Sequence, residues 1–236
     1  RRLKGDVLKD LPEKLEENVY AKMEGEQLAL YDAHVQQMKQ MLDGKSEAEF
    51  KSNKIQILAE LTKLRQLCCD PALVYENYEG GSAKLDLCIE LIQSAVESGH
   101  KILLFSQFTS MIEILTARLQ EESISCFVLQ GSTKKEQRAQ MVEQFNRDDT
   151  SVFCISLKAG GTGLNLTGAD IVIHYDPWWN VAVENQATDR AHRIGQKNVV
   201  TVYKLIAKGT IEEKIIKLQQ MKKELAEEIL SGDEIK

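Results

Sequence analysis

Apolar residues recur along this chain with two different periods, and the change from one to the other divides it. From residue 24 to 42, Leu28, Tyr31, Val35, Met38 and Leu42 fall three or four apart, and residues 52 to 69 repeat the pattern through Ile55, Leu58, Leu61, Leu64 and Cys68. That spacing predicts two amphipathic helices. Gly44-Lys-Ser separates them, and Asp70-Pro71 ends the second, since a residue before proline is pushed out of the helical region. Residues 1 to 20 read as an extended lead-in, and Tyr75 to Ser82, with Gly80-Gly81, as the linker out of a helical subdomain.

From Ala83 helices alternate with short apolar runs. Helix 83–98 leads to strand 101–105, helix 108–121 to strand 126–129, and helix 133–147 to strand 152–155. Strand 171–174, helix 180–192 and strand 199–205 complete the series. Short apolar strands between amphipathic helices predict an α/β fold, a parallel sheet covered by helices on both faces. In such sheets ligands bind beyond the carboxyl ends of the strands. The segments there are Ser106-Gln107-Phe108, Gln130-Gly131-Ser132, Ser156 to Gly163 and Tyr175 to Asn180. A long amphipathic helix, Thr210 to Leu230, follows Gly209, with Thr210 as cap and Glu212-Glu213 suited to its positive end.

Composition narrows the class. At 236 residues and 43% hydrophobic, the chain can bury the core of one large or two small domains. No apolar run approaches the roughly 18 to 20 residues that span a bilayer, and the first residues lack the apolar region of a signal peptide. The expectation is an intracellular protein with no membrane partner, in the cytoplasm, the nucleoid or the nucleus. Five cysteines, an odd number, agree with a reducing compartment. Cys68-Cys69 has neither a second pair nor a nearby histidine, so no metal site is expected. The net charge of −6 argues against nonspecific coating of nucleic acid, which is driven by Lys and Arg displacing counterions from phosphates. Distribution matters more than the sum. Asp10 to Asp32 holds seven acids against Lys14 and Lys22, whereas Gln186 to Lys208 holds five Lys or Arg against Asp189 alone.

Two features carry candidate chemistry. Gly160-Gly161-Thr162-Gly163 follows a strand, where backbone N–H groups can turn outward as an anion nest with Lys158 at its edge. Taken alone it reads first as a flexible strand-to-helix turn. Arg190 and Arg193 lie three apart where the expected helix 180–192 ends, so on helical geometry both guanidinium forks can meet one phosphate-bearing target. A phosphate-cradling P-loop would need Gly-Lys-Ser/Thr, which the glycine loop lacks, and no acidic metal box ends an apolar strand. If nucleotide is hydrolysed, the other half of the site must come from elsewhere.

Ser156-Leu-Lys-Ala-Gly-Gly-Thr-Gly-Leu-Asn-Leu166, Tyr175-Asp-Pro-Trp-Trp-Asn180 and Asp189-Arg-Ala-His-Arg-Ile-Gly-Gln196 resemble the fifth and sixth helicase motifs of the SWI/SNF-type remodelling ATPases of superfamily two. Lys101 to Phe108 is similar to their fourth motif, Gln130-Gly-Ser132 to the phosphate contact after it, and Arg1 to Lys14 to the segment joining the two motor lobes. The resemblance covers essentially the whole chain. It implies a RecA-like second motor lobe at 83–208, after an inter-lobe connector at 1–19 and a helical protrusion at 20–82, and before a C-terminal helix at 209–236. It implies that Arg190 and Arg193 are arginine fingers, and that Gln186, Gly163 and Asn165 lie against ATP. Ser106, Gln107, Gly131, Ser132, Lys158, Gly160, Gly161 and Trp179 match positions that hold DNA. Trp178 divides evenly between DNA contact and core packing.

The function so implied is the second lobe of a DNA-dependent ATPase that translocates on duplex DNA to remodel protein–DNA complexes. Its partners would be the missing first lobe, double-stranded DNA and a DNA-bound protein or polymerase. ATP and Mg2+ would serve the intact two-lobed enzyme, with none bound tightly by this chain, which would be inactive alone. The alternative is a noncatalytic nucleic-acid-binding or protein-interaction module with a motor-like fold. An RNA helicase lobe fits less well, because Trp178-Trp179-Asn180 and Arg193-Ile-Gly-Gln196 resemble the duplex-translocating group.

Overall fold

The computed structural model describes residues 11–157 and 163–231. Among these, six strands form one sheet in which every pairing is parallel. They are β1 (Lys14–Ala21), β2 (Ile102–Ser106), β3 (Cys126–Leu129), β4 (Val152–Ser156), β5 (Ile171–His174) and β6 (Val200–Ala207), in the spatial order β1-β6-β5-β2-β4-β3. The eight helices are α1 (Gly25–Leu42), α2 (Glu47–Ser52), α3 (Lys54–Cys69), α4 (Ala83–Glu97), α5 (Thr109–Glu121), α6 (Lys135–Arg147), α7 (Val181–Thr188) and α8 (Ile211–Ser231). The expected parallel sheet with helices on both faces is present, with α1 to α3 between β1 and β2 in sequence and a long helix after β6.

Central strands β2, β4 and β5 are buried at every residue, which is why their sequences are continuous apolar runs rather than alternating ones. One face packs on α4 and α5 through Cys88, Ile92, Met111, Leu115, Leu104 and Cys154. The other packs on α6 and α7 through Phe145, Ala187, Leu103, Phe153 and Val172. A third apolar cluster joins α1, α3 and the start of α8 through Tyr31, Leu64, Leu67, Cys68 and Ile211. Register aligns Ser106 with Ser156, and Phe105 with both Ile155 and His174, so the strands end at one level and their following turns form one rim.

Two local differences from the sequence pattern have clear causes. Within the extended lead-in, residues Lys14 to Ala21 are an edge strand that pairs along its whole length with β6, from Lys14 opposite Val200 to Ala21 opposite Ala207. Its polar residues suit an edge, where lysine and glutamate discourage further pairing. The expected helix over 52–69 is α3, which starts at Lys54, and a short separate helix precedes it. Ser46 and Glu49 form a reciprocal capping box that starts α2, and α3 begins afresh after Asn53.

The segment carrying α1 to α3 is joined to α4, β5 and α8 by buried polar contacts. The Cys69 carbonyl accepts from Ser82 Oγ at 2.7 Å and from the Tyr175 hydroxyl at 2.8 Å. Lys84, at the start of α4, donates to Glu212 in the first turn of α8, and both are 1% exposed. Glu212 also accepts the Ala207 N–H at 2.8 Å, so one carboxylate ties β6, α4 and α8 together. Beyond those first turns α8 leaves Met221, Leu225, Ile229 and Leu230 exposed.

Candidate functional site

The rim carries two clusters. The first is built from the segment after α7 and the turn at 163–166. Asn180 caps α7 by accepting the Ala182 N–H at 3.1 Å, and the helix stops at Thr188, four residues short of the length expected from sequence. Its ending has a backbone cause. The Arg190 N–H turns to the Ala187 carbonyl at 3.3 Å and the Ala191 N–H to the Thr188 carbonyl at 3.1 Å, three residues back rather than four, while the Arg190 carbonyl accepts from Leu166 N–H at 2.9 Å and the Ala191 carbonyl from the Gln196 side-chain amide at 3.0 Å. Arg190 and Arg193 therefore lie on tight turns after the helix and not on one helical face, a correction to the i, i+3 argument.

Both arginines nonetheless meet the same turn. Arg193 is exposed, with Nη1 3.5 Å from the Leu164 carbonyl. Arg190 is 8% exposed, its guanidinium carbon 5.6 Å from the centre of the Phe105 ring. Its Nη1 has no hydrogen-bond partner, and among the described residues no carboxylate lies within ion-pair distance. Burial lowers its pKa, yet a guanidinium remains charged in any protein setting. A buried, unpaired cation is costly unless an anion completes it. Gly163, with φ of +97°, and Asn165 are exposed on the adjoining turn, and Gln186 is exposed on the last turn of α7. Gly163, Asn165, Arg190 and Arg193 thus come together, with Gln186 close along the chain.

Three side chains outside the sequence-derived site hold this cluster. Gln196 is a buried clamp whose amide N–H groups reach the carbonyls of Thr167, Ala169 and Ala191, while its oxygen accepts from Lys197 and Asn198 N–H at 3.1 Å. His174 Nε2 lies 2.9 Å from Thr188 Oγ1 at the end of α7, and its ring stacks on Phe105, the ring that carries Arg190. His192 Nε2 reaches the Pro12 carbonyl at 2.8 Å and ties the arginine segment to the chain before β1.

The second cluster lies at the ends of β2 and β5. Ser106 and Gln107, placed by resemblance on the DNA-facing rim, are buried, at 0% and 5% exposed. Ser106 Oγ donates to Asp176 Oδ1, and Gln107 N–H donates to the other oxygen at 3.3 Å. Burial raises the Asp176 pKa, and the Ser106 and Gln107 donors oppose the shift. The Gln107 side-chain oxygen accepts from Arg65 Nη2 on α3, and that guanidinium carbon lies 5.7 Å from Phe108, 5.7 Å from Trp178 and 5.4 Å from Trp179 ring centres. Trp179 is 36% exposed and Trp178 is half-buried, its N–H held by Glu184 at 2.8 Å and its carbonyl by Gln219. Arg65, Asp176 and Glu184 have no counterpart in the sequence-derived site. Arg65 carried a signal, a charge beside Leu64 on an apolar helix three residues before Cys68.

Gly131 and Ser132 are exposed after β3, the edge strand, with Arg138 donating to the Gly131 carbonyl at 3.2 Å. Lys158, Gly160 and Gly161 lie outside the described residues, as do residues 1–10 of the expected connector. No group of three or more His, Cys, Asp or Glu able to hold a metal ion occurs among the described residues. No helix among them is long and apolar enough to cross a membrane.

A rim of turns over a parallel sheet, with an arginine segment beside a glycine turn, defines a helicase-type C-terminal lobe, and residues 83–195 match the model of the helicase conserved C-terminal domain. Residues 1–73 match the SNF2-related domain. The chain is 35% identical to the C-terminal domain of a Sulfolobus solfataricus SWI2/SNF2 ATPase, covering 89% of this chain and 87% of that one with a TM-score of 0.73. A structure of that organism's SWI2/SNF2 ATPase core in complex with dsDNA is 36% identical, covering 98% of this chain and 49% of that one, with a TM-score of 0.77. A putative ATP-dependent helicase/translocase of Bacillus subtilis, YwqA, is 42% identical over 242 residues, 99% of this chain and 26% of its own length. The chain belongs to the SWI2/SNF2 ATPase family and has the RecA-like fold of its C-terminal lobe. It spans about a fifth to a quarter of the length of the curated relatives it matches, 22% and 26% for two of them.

Proposed function

We propose that this chain is the second motor lobe of a DNA-dependent ATPase that translocates on duplex DNA and remodels protein–DNA complexes. One observation carries the nucleotide half of the reading. Arg190 is buried with an unpartnered Nη1, and it shares the 163–166 turn with the exposed Arg193. Such a constellation suits a polyphosphate presented by another lobe, where each guanidinium neutralises charge that develops on the transferred phosphoryl group. ATP and Mg2+ would be held chiefly by that other lobe. This chain would contribute the two arginines, Gln186, and the turn carrying Gly163 and Asn165.

The second cluster faces DNA in this reading. Trp179 and the residues after β2, β3 and β4 would follow the phosphate backbone of one strand, with Lys158, Gly160 and Gly161 among them. Ser106 would act from beneath the surface through Asp176, since its hydroxyl is already donated there. The dsDNA named for the Sulfolobus core complex supports the choice of duplex. Relatives named as a nuclear protein of Saccharomyces cerevisiae and as a regulator of chromatin in Homo sapiens support a remodelling role. ATP binding would close the lobes and hydrolysis reopen them, a hinge motion that advances the protein along the duplex.

The test is triplex displacement by the longer protein. ATP-dependent release of a third strand from duplex DNA is expected, and its loss with Arg190→Ala or Arg193→Ala while duplex binding persists. Strand release that needs no ATP, or RNA duplex served as well as DNA, would overturn the proposal.

A further inference from the structure

Arg65 is a guanidinium in a place that aliphatic carbon could fill at no desolvation cost. It comes from α3, reaches the rim of the sheet, and is 7% exposed among Phe108, Trp178 and Trp179. Among the described residues it has no carboxylate within ion-pair distance; Asp176 acts on it only as a nearby charge. Its one hydrogen bond runs to Gln107, and both Arg65 Nε and Gln107 Nε2 are buried without partners. Two unpaired buried donors would be destabilising in a purely structural core.

We propose that Arg65 is a positioning residue of the DNA-facing rim: its guanidinium, held among three aromatic rings, fixes the Trp179 ring in the orientation that meets the phosphate backbone. The inference rests on the DNA-facing reading of this cluster. The geometry supplies the mechanism. Glu184 and Gln219 hold the backbone of Trp178, whereas the side chain of the exposed Trp179 has the Arg65 cation as its charged neighbour at 5.4 Å. A cation over a tryptophan face is drawn to the ring's electron-rich surface, and so favours one ring orientation. Arg65 itself stays below the surface, so it shapes the contact without touching a phosphate.

The experiment is a duplex-DNA binding titration by fluorescence anisotropy, at several salt concentrations, with this chain and its Arg65→Met, Arg65→Lys, Trp179→Ala and Arg65→Met/Trp179→Ala variants. Tryptophan emission is read alongside, because the only two tryptophans of the chain are 178 and 179. Arg65→Met is expected to weaken binding about tenfold with an unchanged salt slope, and to make Trp179 more open to acrylamide quenching. A lost phosphate contact would instead lower the slope by about 0.9. Arg65→Lys keeps the charge and the packing stem but not the planar fork. It is expected to weaken binding at least threefold, and it carries the test should Arg65→Met fold poorly. The double variant is expected to bind no worse than Trp179→Ala alone. Wild-type affinity in Trp179→Ala would remove the DNA-facing reading itself. Weakened binding in Trp179→Ala beside wild-type affinity in Arg65→Lys and Arg65→Met, or a reduced salt slope, or additive losses, would overturn the role of Arg65.

Discussion

Replacing Lys84 by methionine isolates the contact that fastens three elements together. Lys84 and Glu212 are each 1% exposed, and the carboxylate that receives the lysine also accepts the Ala207 N–H at 2.8 Å. Burial penalises the lysine cation, and Glu212 beside it overcomes that penalty and holds the lysine protonated above its ordinary pKa. Methionine fills the volume but leaves the carboxylate buried without its counter-charge, a state that costs about 3–5 kcal/mol in buried pairs. Removing the charge from both sides should recover most of that loss. Glutamine at 212 still offers an oxygen to Ala207 N–H, so Lys84→Met/Glu212→Gln is expected to lie within roughly 1–2 kcal/mol of the parent. Urea unfolding of the parent, both single variants and the double, followed by circular dichroism, gives the coupling energy. A Lys84→Met loss below about 1 kcal/mol, or a double variant as unstable as Lys84→Met, would show that the pair does not hold β6, α4 and α8 as described.

Other outcomes follow from the same contacts. Burial, with Lys204 adding to it, lowers the His174 pKa to about 3, so the folded ring stays neutral while the unfolded one takes up a proton below its ordinary value of about 6.5. Stability should therefore fall as pH drops from about 6.5 toward 3, by about 2 kcal/mol at pH 5 from this group alone, and His174→Gln should remove that share of the slope in urea titrations at pH 7.5 and 5. Gln196→Ala removes donors to three buried carbonyls and should cost about 2–3 kcal/mol, with faster amide exchange at Leu166 as the local readout. Tyr175→Phe deletes only the hydroxyl bonded to the Cys69 carbonyl, and should cost about 1 kcal/mol in thermal unfolding.

The sheet was legible in the sequence wherever a strand is buried on both faces. Ile102 to Phe105, Val152 to Ile155 and Ile171 to Ile173 announce themselves as apolar runs because both of their faces are covered by helices. β1 was not legible as a sheet strand. Lys14-Leu-Glu-Glu-Asn-Val-Tyr-Ala21 is an edge strand whose pairing comes entirely from β6, nearly two hundred residues on, so no local pattern records it. The rim showed the same division. Its turns follow from the strand ends, and the arginine segment from its residues, but the tight turns after Thr188 are held by Leu166 and Gln196, which bond the carbonyls of Arg190 and Ala191. Propensity within 180–192 carries no trace of those partners. Arg65 and Glu184 were hidden for a similar reason: each lies on a helix among ordinary neighbours, and only the fold brings one beneath Trp179 and the other to the Trp178 N–H.

The central claim is that Arg190 and Arg193 serve a nucleotide held by another lobe, and single-turnover ATP hydrolysis by the longer protein on saturating duplex DNA tests it most directly. With ATP affinity measured separately, Arg193→Ala and Arg190→Ala are each expected to slow the chemical step about a thousandfold while leaving nucleotide binding within a few fold, the signature of charge stabilised in the transition state. Hydrolysis at the parental rate in both variants would contradict it.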